Sequence, residues 1–565
     1  MIFTKQQIDI FFSLRSIKIV VLLVISQVLF FSCNRVTKTR TEHVPQVPET
    51  LRIVCRNDSL QLVTFLNKLL HDTIQRERIL SFYRSRNYSP VWINASGVNE
   101  NAGNLINFLY NEKACCFQES VPSLDNLQQL HQAVVGNISG RLYCEDSLAL
   151  QLEVLLTKSF FEFAECNWGG VDSKILKQAN WFIARKQLNY DQLLNDYLHA
   201  GKDISPIEPM YGQYELLKSY LRKYNAAALK KEWPLLSAGN MTLKRADTSA
   251  IVISIKQLLF ITGDMAGADS SAIFDSILES AVKVFQKRHG LKEDGIVNKR
   301  TLQTMCIPIQ ERIRTILINM ERCRWVPVQL SGDYLVVNIP EFRLHVYRNE
   351  RHVWSCKVIV GKSDPLNHTV IFNDSLEFIV FNPNWNIPKN ILKKEILPAI
   401  IKDAGYILKN NLEVTDMAGQ VMNASTIKWT SYTDHFPYLI RQKPGADNPL
   451  GNMKFLFPNP YDIYIHDTPS KNLFNETDRG FSHGCIRLEQ PLRLAEFLLE
   501  TDTIWTPEAI SSVMEGGKET FVKLKQRTPI FIAYFTCWVD GAGRLNFRND
   551  IYGHDEKMEK LLFVN

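Results

Sequence analysis

Tyr464-Ile-His-Asp-Thr-Pro-Ser470, followed by Arg479-Gly-Phe-Ser-His-Gly-Cys-Ile-Arg487, is the part of this 565-residue chain from which the rest can be read. It holds one thiol, Cys485, and two imidazoles, His466 nineteen residues upstream and His483 two upstream. A cysteine is a strong nucleophile only as its thiolate, and a neighbouring imidazole is the usual means of removing the proton near neutral pH. Gly484 permits a tight turn that aims successive N–H groups at one point, as stabilising the oxyanion of acyl transfer requires. Tyr461, Ile463 and Ile465 alternate with Asp462, Tyr464 and His466, the period of a strand, and Thr468-Pro469 marks a turn beyond it. Ile486, Leu488, Leu492, Leu494 and Phe497 predict a buried segment and a helix behind the thiol. The competing reading is an inert core cysteine beside a satisfied histidine, which an isolated Cys and an isolated His usually are. The clustering of Ser482-His483-Gly484-Cys485 behind His466-Asp467 argues against it.

Ser482-His483-Gly484-Cys485-Ile486-Arg487, with His466 at this spacing, resembles the signature of the L,D-transpeptidase catalytic domain. Arg441-Gln-Lys-Pro-Gly445, Leu450-Gly451, Lys454-Phe455, Phe457-Pro458-Asn459 and the run from Tyr461 to Pro469 are similar to the large multidomain subgroup of that family. The resemblance covers residues 240–555 and, more weakly, 50–240. It implies Cys485 as nucleophile, His466 as proton acceptor and donor, and Ser482, His483 and Gly484 as oxyanion and supporting groups. It also implies Arg487, Tyr464 and Trp385 as substrate-binding residues. The implied donor is a tetrapeptide stem of peptidoglycan, opened after its third residue with loss of D-alanine. The implied acceptor is the side-chain amine of a diamino acid on another stem, giving 3–3 cross-links, and carbapenem reactivity goes with the family. Neither a metal nor an organic cofactor is implied. Two other functions stay open: an L,D-carboxypeptidase that passes the same acyl group to water, and a wall-binding lipoprotein with a degenerate catalytic domain. The acceptor is also open between a stem peptide and a protein.

The length predicts several domains, and 45% hydrophobic with 22% charged residues is a globular composition. A net charge of +6, with no basic cluster interleaved with aromatics, does not argue for nucleic acid. Arg15 and Lys18 precede an apolar run from Ile19 to Phe31, short for a membrane span and suited to a signal-peptide core. Its end, Ser32-Cys33, resembles a lipoprotein cleavage site with Cys33 as the lipidated residue; plain cleavage or an uncleaved anchor is the alternative. Either way the chain is expected to be exported to the periplasm of a bacterial envelope, and with Cys33 lipidated it is anchored to a membrane. Of eleven cysteines, Cys33 and Cys485 have roles of their own, and the spacings of the rest name no disulfide.

The expected architecture is multidomain α+β: a signal segment over 1–33, a tether over 34–50 and a helical scaffold over 51–240. A three-helix peptidoglycan-binding-like module over 245–305 follows, then a mostly β catalytic domain over 333–555 with an α/β cap inserted at 388–438. Apolar residues at three- and four-residue spacing, as in Leu60–Leu70 and Leu148–Phe161, carry the scaffold assignment, and no chemistry is expected there. Ala281–Asn298 resembles the binding module, with Asp294-Gly295 as its turn. The cap is expected to hold a stem over the thiol. His345, His352 and His368 have no partner at metal spacing and read as surface or core residues, and Cys537 as inert packing in strands that complete the catalytic sheet.

Overall fold

A computed structural model describes residues 59–563, except 71, 95–96, 113–123, 137–146, 170–176, 178–179, 184–187, 201–210, 238, 327–330, 404 and 432–435. The expected signal segment, tether and Cys33 lie outside the described residues. The scaffold is helical, with one short hairpin, β1 (Ile93–Asn94) and β2 (Gly97–Val98). Its centre is the helix Ser147–Ala164, which buries Leu152, Val154, Leu156, Phe160, Phe161 and Phe163. Trp92 is fully buried against it, its indole N–H donating to Thr157 Oγ1 at 2.9 Å.

The module is three helices, Ile251–Thr262, Ser276–Arg288 and Lys299–Met305, around their own apolar cluster. Asp275 and Asn298 cap the second and third, accepting from Leu278 N (2.8 Å) and Thr301 N (3.0 Å). Gly295 takes the left-handed conformation the predicted turn needs, φ 74°, and donates its N–H to Gln286 Oε1.

The following helix, Ile309–Cys323, lies outside the module's cluster. It is buried in the main core, with Asn319 and Arg322 held by Thr536 and Asp555. That core is continuous from the scaffold into the β domain, and Trp181, Trp325 and Phe535 stack edge-to-face across the join.

In the β domain, β3 (Asp333–Asn338), β4 (Arg343–Arg348), β5 (Arg351–Gly361) and β6 (Phe372–Phe381) precede the cap. The cap is wider than the expected 388–438, because its sheet begins and ends in strands outside those bounds: β7 (Trp385–Asn386), β8 (Leu412–Thr415), β9 (Val421–Met422) and β10 (Leu439–Gln442), with a separate core around Leu392, Ile400, Val414 and Ile440. Its first helical run, from Lys389 to Lys402, is broken just before Pro398 by a π-turn over Leu392–Ile396, where Leu397 N reaches back to Leu392 O. A proline ring crowds the carbonyl four residues earlier, and the wider turn relieves this. After the cap come β11 (Met453–Leu456), β12 (Ile465–His466), β13 (Gly480–Ser482), β14 (Ile486–Leu488) and β15 (Thr520–Ala533). The sheet runs β13-β5-β14-β12-β11-β6-β15-β3-β4, and β4 also pairs with β5, so the ring closes into a barrel. The expected C-terminal strands divide. Only β15 joins the barrel, while Cys537–Val539 (β16) and Leu545–Phe547 (β17) form a separate hairpin.

Candidate active site

β12 and β14 lie side by side and parallel, with Ile465 opposite Ile486 and His466 opposite Arg487. Side chains alternate along strands, so Tyr464 and His466 share a face with Cys485 and Arg487. This places Tyr464 beside Cys485 and His466 diagonally across from it. The predicted strand is shorter than its periodicity implies. Asn459 Oδ1 accepts from Tyr461 N and Ile463 N, both at 3.1 Å, and Asp462 sits at φ 55°, so 459–463 is a tight turn. That turn brings the Asp462 carbonyl oxygen to 3.6 Å from Cys485 Sγ.

His466 is buried, and its Nδ1 lies 2.5 Å from the Asp467 carbonyl oxygen. A carbonyl only accepts, so Nδ1 carries the proton and Nε2 keeps its basic lone pair. Asp467 is fixed in turn, its carboxylate accepting from Asn452 N (2.9 Å) and pairing with Lys471. Gly451, at φ 58°, makes room for it: a side chain there would run into the Asp467 carboxylate.

Burial, and then the positive charge of Arg487, drives the His466 pKa down to about 3. Burial raises the Cys485 thiol, against hydrogen bonds from the Tyr464 backbone and hydroxyl and the charge of Lys454, which favour the thiolate. The resting pair is therefore a thiol beside a neutral imidazole. Two groups out of water favour their uncharged forms, which leaves the imidazole free to take up the thiol proton.

Ser482 locks the turn that carries Cys485, its Oγ accepting from Gly484 N (3.1 Å) and donating to the Cys485 carbonyl (2.6 Å). The Gly484 N–H is thus engaged, whereas the N–H groups of His483 and Cys485 donate to no acceptor among the described residues. Gly484 has φ 117°, and a Cβ there would stand 3.4 Å from the His368 carbonyl oxygen. Its own carbonyl accepts from Thr369 Oγ1 (2.8 Å), which also accepts from Gly361 N (2.9 Å). Arg487 is half-buried on the same face, and its Nε has no partner among the described residues. Tyr464 is capped by Lys454, whose Nζ lies 3.9 Å from the ring centre. Trp385 stands apart, in the cap's strand β7 against the cap's core.

Cys485 opens on a cleft of about 720 Å³. A second concavity of about 390 Å³, lined by Lys454 and Tyr464, shares the Asp462–Ile463 wall with it. The cleft includes residues with no expected part in a site. His368, expected at the surface or in the core, lines it and stacks on Tyr552 (3.9 Å between ring centres). Phe182 and Asn180 come from the scaffold, where no part in the chemistry is expected, and Phe182 packs against Tyr461. The Trp181–Ile371 bridge and the packing of Phe182 on Tyr461, contacts remote in sequence, bring that segment in.

Residues 332–510 match the model of the L,D-transpeptidase catalytic domain, 77–221 that of a scaffold domain, and 248–305 that of the "Putative peptidoglycan binding domain". The "Putative L,D-transpeptidase" of Haemophilus influenzae is 34% identical over 265 residues, 46% of this chain and 53% of that protein. The chain thus matches about half the length of that curated relative. Solved L,D-transpeptidase structures from Xylanimonas cellulosilytica and Stackebrandtia nassauensis align at 11% and 10% identity. Each alignment covers 53% of this chain, with 100% and 96% of the solved chains and TM-scores of 0.17 and 0.21.

Proposed function

Taking as premise that this chain carries a scaffold domain, a peptidoglycan-binding domain and an L,D-transpeptidase catalytic domain, in that order, we propose that it is a cysteine L,D-transpeptidase forming 3–3 cross-links between peptidoglycan stems. The observation that carries the reading is the shared face of Cys485 and His466, with Asp467 O holding the imidazole in its basic tautomer. In the proposed reaction Sγ attacks the carbonyl after the third stem residue while its proton passes to His466 Nε2. The N–H groups of Cys485 and His483 stabilise the oxyanion. Collapse breaks the amide bond, and His466 gives its proton to the departing D-alanine amine. The acceptor amine then attacks the thioester, loses a proton through His466, and the thiolate leaves and is reprotonated. Arg487, with its free Nε, takes a substrate carboxylate.

The two concavities meeting at Asp462 favour transfer over hydrolysis, because they offer separate room for donor and acceptor. Purified protein given disaccharide-tetrapeptides should yield dimers; tripeptides alone would establish an L,D-carboxypeptidase, and no product a degenerate wall-binding protein. A carbapenem should add covalently to the wild-type chain, and a stable adduct on Cys485→Ala would overturn the assignment of the nucleophile. A periplasmic position with Cys33 lipidated belongs to the same proposal, and mass spectrometry of the mature N-terminus tests it.

A further inference from the structure

Lys454 of β11 lies opposite His466 of β12, and His466 lies opposite Arg487 of β14. Residues opposite one another on neighbouring strands share a face, so the buried imidazole stands in one row between two cations. The ammonium of Lys454 has a fixed seat. Its Nζ is 3.9 Å from the centre of the Tyr464 ring, and that ring lies 5.6 Å from the His466 ring, between centres. Tyr464 is in turn the residue beside Cys485 across the β12–β14 pair.

Lys454 is half-buried, and among the described residues it has no ion-pair partner. The carboxylates around it are engaged elsewhere or face the sulfur. Glu377 of β6 pairs with Arg527 of β15 at 2.8 Å, and Glu519, just before β15, accepts from Asn384 N and Nδ2, both at 2.8 Å. Asp462, on the turn, acts against ionisation of Cys485. Burial lowers the Lys454 pKa, and of the groups that oppose this Cys485 comes first, ahead of Glu519. A lysine held partly out of water costs free energy unless an anion stands near it. The aromatic face offsets some of that cost, and an ionised sulfur would offset more.

We propose that Lys454 is a positioning residue of the reaction: its ammonium, seated on the Tyr464 ring, is the counter-charge of the Cys485 thiolate. The inference rests on Cys485 as the nucleophile. At rest the thiol is neutral and Lys454 leans on the ring alone. When the proton passes to His466, the sulfur's new charge meets a cation already in place, with no side chain left to reorganise. The same row makes the imidazolium a strong acid, because Lys454 on one side and Arg487 on the other disfavour a third positive charge. The proton is therefore passed on readily to the departing amine.

The test is the pH dependence of Cys485 alkylation by iodoacetamide in the full-length chain, read at that residue by peptide mass spectrometry. Lys454→Met keeps an apolar stem against the ring and removes the charge. It should lower the rate at pH 8 about tenfold and move the rise to higher pH. Lys454→Gln should match it, and Lys454→Arg should restore the wild-type profile. A methionine variant with the wild-type profile, or an arginine variant as slow as the methionine one, would overturn the proposal. The two readings fail separately. A chain whose alkylation shifts in this way but which forms no acyl-enzyme with a stem keeps the role of Lys454 at the thiol. One that cross-links stems with an unshifted Lys454→Met profile keeps only the enzyme.

Discussion

In the proposed reaction, what happens at Cys485 and His466 turns on which form each group holds at rest. A buried imidazole with a pKa near 3 stays neutral across the physiological range, so kcat/KM should hold level from pH 7 to pH 5 and lack the fall near pH 6.5 of an unperturbed histidine. A pH–rate profile with an acid limb near 6.5 would contradict that burial. The raised thiol gives a second expectation: iodoacetamide should alkylate Cys485 with a rate still climbing above pH 9, not levelling near neutrality. Thr369→Val removes the acceptor for Gly361 N and the donor to Gly484 O. It should cost about 1–3 kcal/mol and reduce kcat more than it raises KM, because what it loosens is the nucleophile turn. Thermal melting and steady-state kinetics on the same variant separate the two effects.

At the level of elements, the helix Ser147–Ala164 carries a carboxylate with no cation beside it. Glu153 accepts from Val91 N (2.6 Å), Trp92 N (3.0 Å) and the Tyr83 hydroxyl (2.9 Å). Burial nonetheless raises its pKa from 4.5 to about 7. A carboxyl raised by folding favours the native state in its protonated form. The scaffold should therefore be most stable below about pH 4.5 as far as this group is concerned, and should lose on the order of 3 kcal/mol as pH rises to about 7. Amide exchange in 147–164 between pH 5 and 8, compared with Glu153→Gln, checks it; equal protection in wild type at both ends would refute it. Elements were legible from sequence where the signal was local. The module's helices follow from apolar spacing and from Asp275, Asn298 and Gly295, and the pairing of Cys485 with His466 from a motif within twenty-odd residues. What escaped depended on a side chain's capture of backbone N–H groups or on distant partners. The strand ending at His466 is cut short by an Asn459 side chain, β16–β17 leaves the barrel, and Phe182 and His368 reach the cleft by docking that no period encodes.

Across the whole molecule, scaffold and barrel share one core, and Trp325 lies fully buried at the join between Trp181 and the Glu321 carboxylate that accepts its indole N–H. Trp325→Ala should destabilise both by about 3–5 kcal/mol in one calorimetric transition; two separated transitions would show that they fold independently. Phe182→Ala, which strips the scaffold's ring from the cleft while leaving Cys485 untouched, should raise KM for the stem severalfold with little change in kcat. The cap is built the other way. Its two ends leave the barrel side by side, Trp385 opposite Gln442 and Ile387 N bonded to Ile440 O at 3.0 Å, and its interior is its own. A segment with that attachment behaves as a cassette: a hairpin turn in its place would leave the ring zipped, because every strand of the ring lies outside it.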